Sequence, residues 1–429
     1  MRASRYHFSE RGFSMVELMV AMVIGLIGMI IIFQVFEVSE GIKRSTTSGG
    51  DAQQNGVIAL YTMERDFKNA GMGFNDTAYA GCDIIGWDLK RTTQNFPPAG
   101  VTMKLAPVSI TSGAASTTPD QISVLYGSQP QASGSVPLAS DMAVGGNGAD
   151  ALNVTNPYGY TPGDLLLLGQ INAVPAKKCS VMEYTSPGVT SNILNHVTTA
   201  YLSGAVSHTP RFNRPGGLGV EYNDVKNASS RVFNLGNLYY VPPGAPPSGT
   251  APIDLPVYNF YAIANGSLTV ASQFQIDSTG QPAVSSIADN IVHMRALYGL
   301  DDGNTDLTVP SNVVPVVAGD GIVDRYVDAA TFNALAPVPW NRLIAVRIAI
   351  VSRSALPEKP SSGKLTDPCD ATPVTAEPQW TGTPWAATFG YKTRLDVSAS
   401  VAAPDSWTCY RYRVFETTIP LRNWIWKSS

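Results

Sequence analysis

The chain has 429 residues, too many for one ordinary core, so one large or two moderate globular units are expected. A net charge of −4 argues against nucleic acid as a partner. Only 14% of residues are charged while Gly (38) and Pro (31) are plentiful, a balance that favours short strands joined by turns over helical bundles.

Residues 1–12 form a short basic leader, with Arg2, Arg5 and Arg11 against Glu10. RGFSMVELMVAMVIGLIGMIIIF follows, almost wholly apolar after Phe13 apart from Ser14 and Glu17. About 21 such residues at ~1.5 Å each cross a ~30 Å hydrocarbon core. The run is longer than the core of a secretory signal, and QVFEVSEGIKR after it offers no A-x-A-like cleavage site. By the positive-inside rule the N-terminus stays in the cytoplasm and the rest of the chain lies outside. The expected division is therefore leader 1–12, membrane-spanning helix 13–36, external continuation of the helix 37–75, and a β-rich head 76–429.

Polar STTSGGD at 45–51 is expected to interrupt the helix, because each glycine weakens one by roughly 1 kcal/mol relative to alanine. Beyond it, Val57, Leu60, Tyr61, Glu64 and Phe67 or Lys68 share one face at i, i+3, i+4 spacing, and the run stops at Ala70-Gly71 with Lys68 in its last turn. This reads as an amphipathic helix laid on a sheet.

From residue 80 short β-like runs alternate with turns. DQISVLYG (120–127), ADALNVT (149–155), GDLLLLG (163–169) and KCSVMEYTS (178–186) read as strands, with a turn at TPG before Asp164. VPPGAPPSGTAPIDLP (241–256) reads as a long loop or weak lobe boundary. NFYAIANGSLTVAS (259–272), NRLIAVRIAIVSRS (341–354) and WTCYRYRVFETTIP (407–420) are stronger strands. In the middle one Ile344, Val346, Ile348 and Ile350 alternate against Arg347 and Ala349, the period of a sheet with one buried face. The fold class is α+β: a long N-terminal transmembrane and amphipathic helix packed on a large, mainly antiparallel β-sheet head.

Candidate chemistry is sparse. Asp302, Asn304 and Asp306 fall at alternate positions, as in the first half of a calcium loop, and Asp320 and Asp324 follow in GDGIVDRY. The sixth loop position is Leu307 rather than glycine, and no glutamate stands at the twelfth, so two solvated turns capped by Asp and Asn are the alternative to a Ca2+ site. His7, His196, His208 and His293 are scattered, with neither HExxH nor G-x-S-x-G, so no hydrolase scaffold is indicated. Gly146 to Ala151 formally matches G-x-G-x-x-A but lacks the strand and helix around it, and reads as a turn. Arg411 and Arg413 share a strand face with Cys409 and Phe415 and are either interface residues at a sheet edge or solvated charges.

Cys82, Cys179, Cys369 and Cys409 form an even set without a CxxC pair, which favours disulfides over zinc or thioredoxin-type chemistry, the alternative being free thiols in the cytosol. Of three connectivities, Cys82 with Cys179 and Cys369 with Cys409 closes the shorter loops.

The N-terminus also carries a resemblance. A basic leader ending in Gly12, then Phe13, Ser14 and Glu17, leading an apolar helix, resembles the class III signal of type IV pilins and type II secretion pseudopilins. The resemblance implies that a prepilin peptidase cuts between Gly12 and Phe13 and methylates the new amine. Major subunits usually carry a proline where this chain has Gln34, which points to a minor subunit. AQQNGVIALYTMERDFKNAGMGFNDTAYAGC, GDLLLLG before a cysteine strand, DNIVHMRALYGLDDGNTD and YRYRVFETTIPLRN are similar to the PilW-type minor pilins, relatives of the GspJ-type pseudopilins. The loops near 91–120, 187–258 and 355–400 lie outside that likeness.

The resemblance implies a minor pilin in a tip complex that primes or caps a type IV pilus. Its implied partners are other minor pilins, the major pilin, the prepilin peptidase, the inner-membrane assembly platform and membrane lipid. A GspJ-like secretion pseudopilin shares the same motifs, and a membrane-tethered adhesin or enzyme head is the alternative from another class. The family's logic also explains Glu17. A charge inside the bilayer costs about 2.5–3.5 kcal/mol, whereas a neighbouring subunit's terminal ammonium at ~4 Å and an effective dielectric of ~20 returns ~4 kcal/mol. The alternative is that Glu17 snorkels to the headgroups.

Overall fold

The structure is a computed structural model and describes residues 12–74, 76–128, 134–142, 151–173, 176–187, 192–203, 206–218, 222, 225–239, 255–277, 279–304, 317–360, 367–381, 393–401 and 406–425. Helix α1 (Met15–Asn69) is unbroken for 55 residues. The interruption expected at 45–51 does not occur: Gly49 and Gly50 are helical. Two glycines lower the helix's own stability by about 1 kcal/mol each, but packing against the head from Ser48 onward supplies tertiary contacts that propensity ignores. Asn69 is the last helical residue, and Gly71 follows with φ +85°, a conformation that residues with a Cβ rarely adopt.

Among the described residues the head contains three main sheets. The first runs Asn95–Phe96, Ile84–Trp87, Cys179–Glu183, Asp164–Gln170, Ser230–Asn237, Val136–Pro137. Its strands are antiparallel except for Ile84–Trp87 beside Cys179–Glu183, and the Cys82–Cys179 disulfide (Cα–Cα 5.9 Å) sits at that parallel junction. The second is wholly antiparallel, in the order Pro282–Asp289, Ser267–Ile276, Val257–Ala264, Gln121–Tyr126, Val108–Thr111. The third, also antiparallel, runs Arg325–Val327, Ile291–Leu300, Leu343–Arg353, Tyr412–Pro420. Cys369–Cys409 (Cα–Cα 4.7 Å) closes a loop just before the last of these strands.

Three strand expectations need correction. NFYAIANGSLTVAS is a hairpin rather than one strand: Asn265 (φ 51°) and Gly266 (φ 75°) make the tight turn that an Asn-Gly pair adopts without steric penalty. Leu343–Arg353 is buried on both faces. Val346, Ile348 and Ile350 enter the main core, while Ala349 and Val351 are covered by Trp380, Leu395 and Val397. Trp407–Cys409 is a single 3-10 turn, so the closing strand starts at Tyr412.

One core cluster joins α1 to all three sheets through residues such as Met63, Phe67, Phe233, Tyr261, Ile348 and Trp424. It draws on both sides of the boundary expected at 241–256, whose residues 241–254 lie outside the described part. A second layer, including Leu152, Leu166, Met182 and Leu194, fills the space between the first sheet and a small sheet formed by Ala151–Asn153, Ser186–Pro187 and Ile193–Asn195.

Candidate functional site

The start of α1 is built for access. Ser14 caps the helix, its Oγ accepting from the Val16 backbone N–H at 3.4 Å, and Glu17 lies in the first turn, where the helix dipole favours an acid. Gly12 and Phe13 precede the helix, and Phe13 is 79% exposed. A Cβ added at Gly12 would meet nothing within 4 Å, so the fold itself places no demand for glycine there. Residues 1–11, including Arg2, Arg5, His7 and Arg11, lie outside the described part.

From Phe13 to Lys43 no side chain is buried against the head, and the large apolar ones are exposed. The apolar stretch from Met15 to Phe36 is about 33 Å long at 1.5 Å per residue. Among the described residues α1 is one helix long and apolar enough to cross a membrane. Water is a poor solvent for such a cylinder, which needs lipid or other helices around it.

The second half of α1 docks on the head, but not on the expected face. Ala52, Gly56, Ala59, Met63, Asp66, Phe67 and Ala70 are buried, whereas Val57 and Tyr61 are exposed and Lys68 pairs with Glu64 in solvent. Bulk misled the periodicity. The small residues allow close approach, since a Cβ at Gly56 would stand 2.2 Å from Cε2 of Phe415. Ser352 donates to the Ala52 carbonyl at 2.8 Å. Deeper in, the buried Asp66 carboxylate accepts from Tyr261 Oη (2.5 Å), Asn259 Nδ2 (2.9 Å) and Tyr126 Oη (3.4 Å). Burial and the adjacent Asp66 charge push the Tyr261 and Tyr126 hydroxyls well above the usual phenol range, so they remain donors.

Where α1 leaves the head, a second set of polar contacts forms. Glu37 pairs with Lys359 at 2.9 Å, and that hydrogen bond holds the Glu37 carboxyl below its usual range. Ser45 donates to Glu358 at 3.0 Å, and Arg411 grips the same carboxylate with Nε at 2.5 Å and Nη2 at 2.9 Å. This fork raises the Arg411 pKa further. The disulfide anchors the segment: the Glu358 N–H donates to the Cys409 carbonyl at 2.7 Å. A cavity of about 560 Å³ lies between this segment and residues 36–48 of α1.

The described residues among the expected calcium ligands are otherwise engaged. Asp302 is bonded to Arg325 at 2.6 Å, and Asp324 accepts the Gly303 N–H at 2.6 Å. Asp301, which the spacing argument passed over, accepts the N–H groups of Gly319 and Gly321 and so closes the turn. Asn304 donates its N–H to Asp302, Asp320 caps Ile322, and Asp306 lies outside the described residues. Among the described residues no three His, Cys, Asp or Glu side chains are placed to hold a metal.

The remaining candidates are dispersed. Buried His293 puts Nε2 3.0 Å from the Ser116 carbonyl, His196 is buried, and His208 stacks on Tyr239. Residues 146–150 of the glycine pattern lie outside the described part. Arg411 belongs to the helix clasp, while Arg413 is exposed on the edge strand.

The head also holds a buried charge network that no sequence pattern marks. Asp88 accepts from Arg91 (2.9 Å) and twice from Arg211 (2.7 Å each), and Glu183 accepts from Tyr201 and the Arg211 N–H. Burial raises the Glu183 pKa, partly offset by the Tyr201 hydrogen bond. It ties loops together and opens to no cavity among those described.

Residues 261–423 match the family model of type IV pilus-assembly protein W, and residues 8–33 match that of the prokaryotic N-terminal methylation motif. No curated protein and no solved structure matches the chain.

Proposed function

Because this chain is a type IV pilin of the PilW type, we propose that it is a minor subunit that primes or caps pilus assembly within a tip complex of minor pilins, inserted through α1. The observation that carries this reading is the bare apolar half of α1, with an accessible Gly12-Phe13 bond and Glu17 at its open end. The role is structural rather than enzymatic.

Residues 13–36 anchor the chain in the inner membrane, with the leader in the cytoplasm and the head in the periplasm. Prepilin peptidase cleaves after Gly12, where the chain is non-helical and exposed. The freed Phe13 ammonium and Glu17 then become complementary groups on neighbouring subunits. Bringing them within ~4 Å in a helix bundle of effective dielectric ~20 yields about 4 kcal/mol, enough to offset the cost of carrying the acid into an apolar layer. The rest of α1, joined rigidly to the sheets, transmits insertion of the helix to the head. Other minor pilins, the major pilin and the assembly platform are the partners of this cycle.

N-terminal sequencing of the protein from sheared filaments tests the reading. A methylated Phe13 is expected, and a chain that still begins at Met1 overturns it. Deletion should abolish surface pili and leave protein secretion intact; the reverse phenotype would assign the chain to a secretion pseudopilus.

A further inference from the structure

We infer that the cavity between α1 and the head seats the headgroup of a zwitterionic ethanolamine phospholipid from the membrane that anchors the chain. The inference rests on the anchoring proposed above.

Depth is the first argument. The apolar stretch of α1 ends at Phe36, and Phe36 is itself part of the cavity wall, which extends up the helix to Ser48. Twelve residues cover about 18 Å, and the headgroup layer outside a ~30 Å hydrocarbon core is about 5–8 Å thick. The lower part of the cavity, with Glu37, Glu40 and Lys359, therefore stands at headgroup level. Phe36, Ile42 and Leu356 are all exposed around it, an apolar rim suited to the glycerol and first methylenes of a lipid.

Charge is the second. Among the described lining residues Glu37, Glu40 and Glu358 face Lys359 and Arg411, so both signs are present with one carboxylate in excess. A phosphate has Lys359 to approach and an ammonium has Glu37 and Glu40, while Arg411 stays on Glu358. Among the described residues no cation pairs with Glu40, and the Glu37–Lys359 pair is 70% and 57% exposed, so solvent screens it and it opens readily. The acidic excess disfavours an anionic headgroup. Ethanolamine carries N–H donors that carboxylates accept, which a quaternary choline lacks. The volume of about 560 Å³ lies within the ~300–1,000 Å³ usual for small-molecule sites. A lipid held here seats the head on the bilayer until the subunit is drawn into the filament.

The test uses the full chain in vesicles containing equal parts of phosphatidylethanolamine, phosphatidylcholine and phosphatidylglycerol. Flotation reads anchoring, and native mass spectrometry of the detergent-released protein reads retained lipid. At least fivefold preferential retention of phosphatidylethanolamine is expected, falling to the vesicle ratio in Glu40→Gln and Lys359→Gln, two exposed-site changes that leave the core untouched. A chain that floats but retains the lipids equally, prefers phosphatidylglycerol, or keeps its preference in both variants refutes the lipid seat alone. A chain that does not float refutes the anchoring and the seat together.

Discussion

Asp66→Ala removes a buried carboxylate through which α1 is hydrogen-bonded into the sheet core. Three donors converge on it, from Tyr261, Asn259 and Tyr126, and Tyr261 is 1% exposed. A hydrogen bond to a charged group contributes about 1.5–3 kcal/mol, and a buried donor left without a partner costs about 1–3 kcal/mol. Water can reach the site of the weak 3.4 Å Tyr126 contact more easily than that of Tyr261, so the loss should be dominated by Tyr261 and Asn259. A total near ~3 kcal/mol follows. Asp66→Asn keeps an oxygen acceptor for Tyr261 and should lose only about 1–2 kcal/mol. The assay is the urea midpoint of the disulfide-intact full chain in detergent, followed by tryptophan fluorescence. An alanine variant within ~0.5 kcal/mol of wild type, or an asparagine variant as unstable as alanine, would refute the reasoning.

Gly56→Leu should destabilise helix docking by about 1–3 kcal/mol, because the new side chain collides with Phe415. Gly50→Ala, where a Cβ meets nothing within 4 Å, should instead stabilise by up to ~1 kcal/mol; paired melting curves distinguish the two. Asp302→Ala leaves the largely buried Arg325 without its partner and should cost about 2–4 kcal/mol at neutral pH. Burial raises the Asp302 pKa, but the Arg325 bonds outweigh it and hold the carboxyl below its ordinary value. Its stabilisation is thus present above the unfolded value and lost as pH falls through the lower folded one. The gap between wild type and variant should stay constant from about pH 7 to 5 and shrink below about pH 3.5 in a melting series. Glu17→Ala should leave leader cleavage intact, as read by gel mobility, while reducing incorporation into sheared filaments several-fold; unchanged incorporation rejects the role proposed for Glu17.

Much of the head was legible locally. Gln121–Tyr126, Asp164–Gln170 and Leu343–Arg353 announced themselves by apolar runs between turn residues, and the Asn265-Gly266 turn carried a signal that the long apolar run around it obscured. The helix face was misread because Val57 and Tyr61 outweigh Ala52, Gly56 and Ala59 in any count of bulk, whereas close packing against Phe415 selects for the absence of bulk. The Ala52, Gly56, Ala59 spacing was the signal available.

What the amino-acid order decides unaided is whatever depends on the chain as a line. In the function proposed above, the leader, the Gly12-Phe13 bond, Glu17 and the apolar run are read by lipid and by a peptidase without reference to the head, and their spacing alone carries the meaning. Tertiary structure decides everything that depends on a partner distant in sequence. Asp66, Asp88 and Glu183 look like ordinary surface acids until Tyr261, Arg211 and Tyr201 are brought beside them, and Glu358 becomes part of a clasp only when Arg411 and Ser45 arrive. The physical reason is that burial of a charge is set by what surrounds it, and those surroundings come from segments 18 to 313 residues away along the chain.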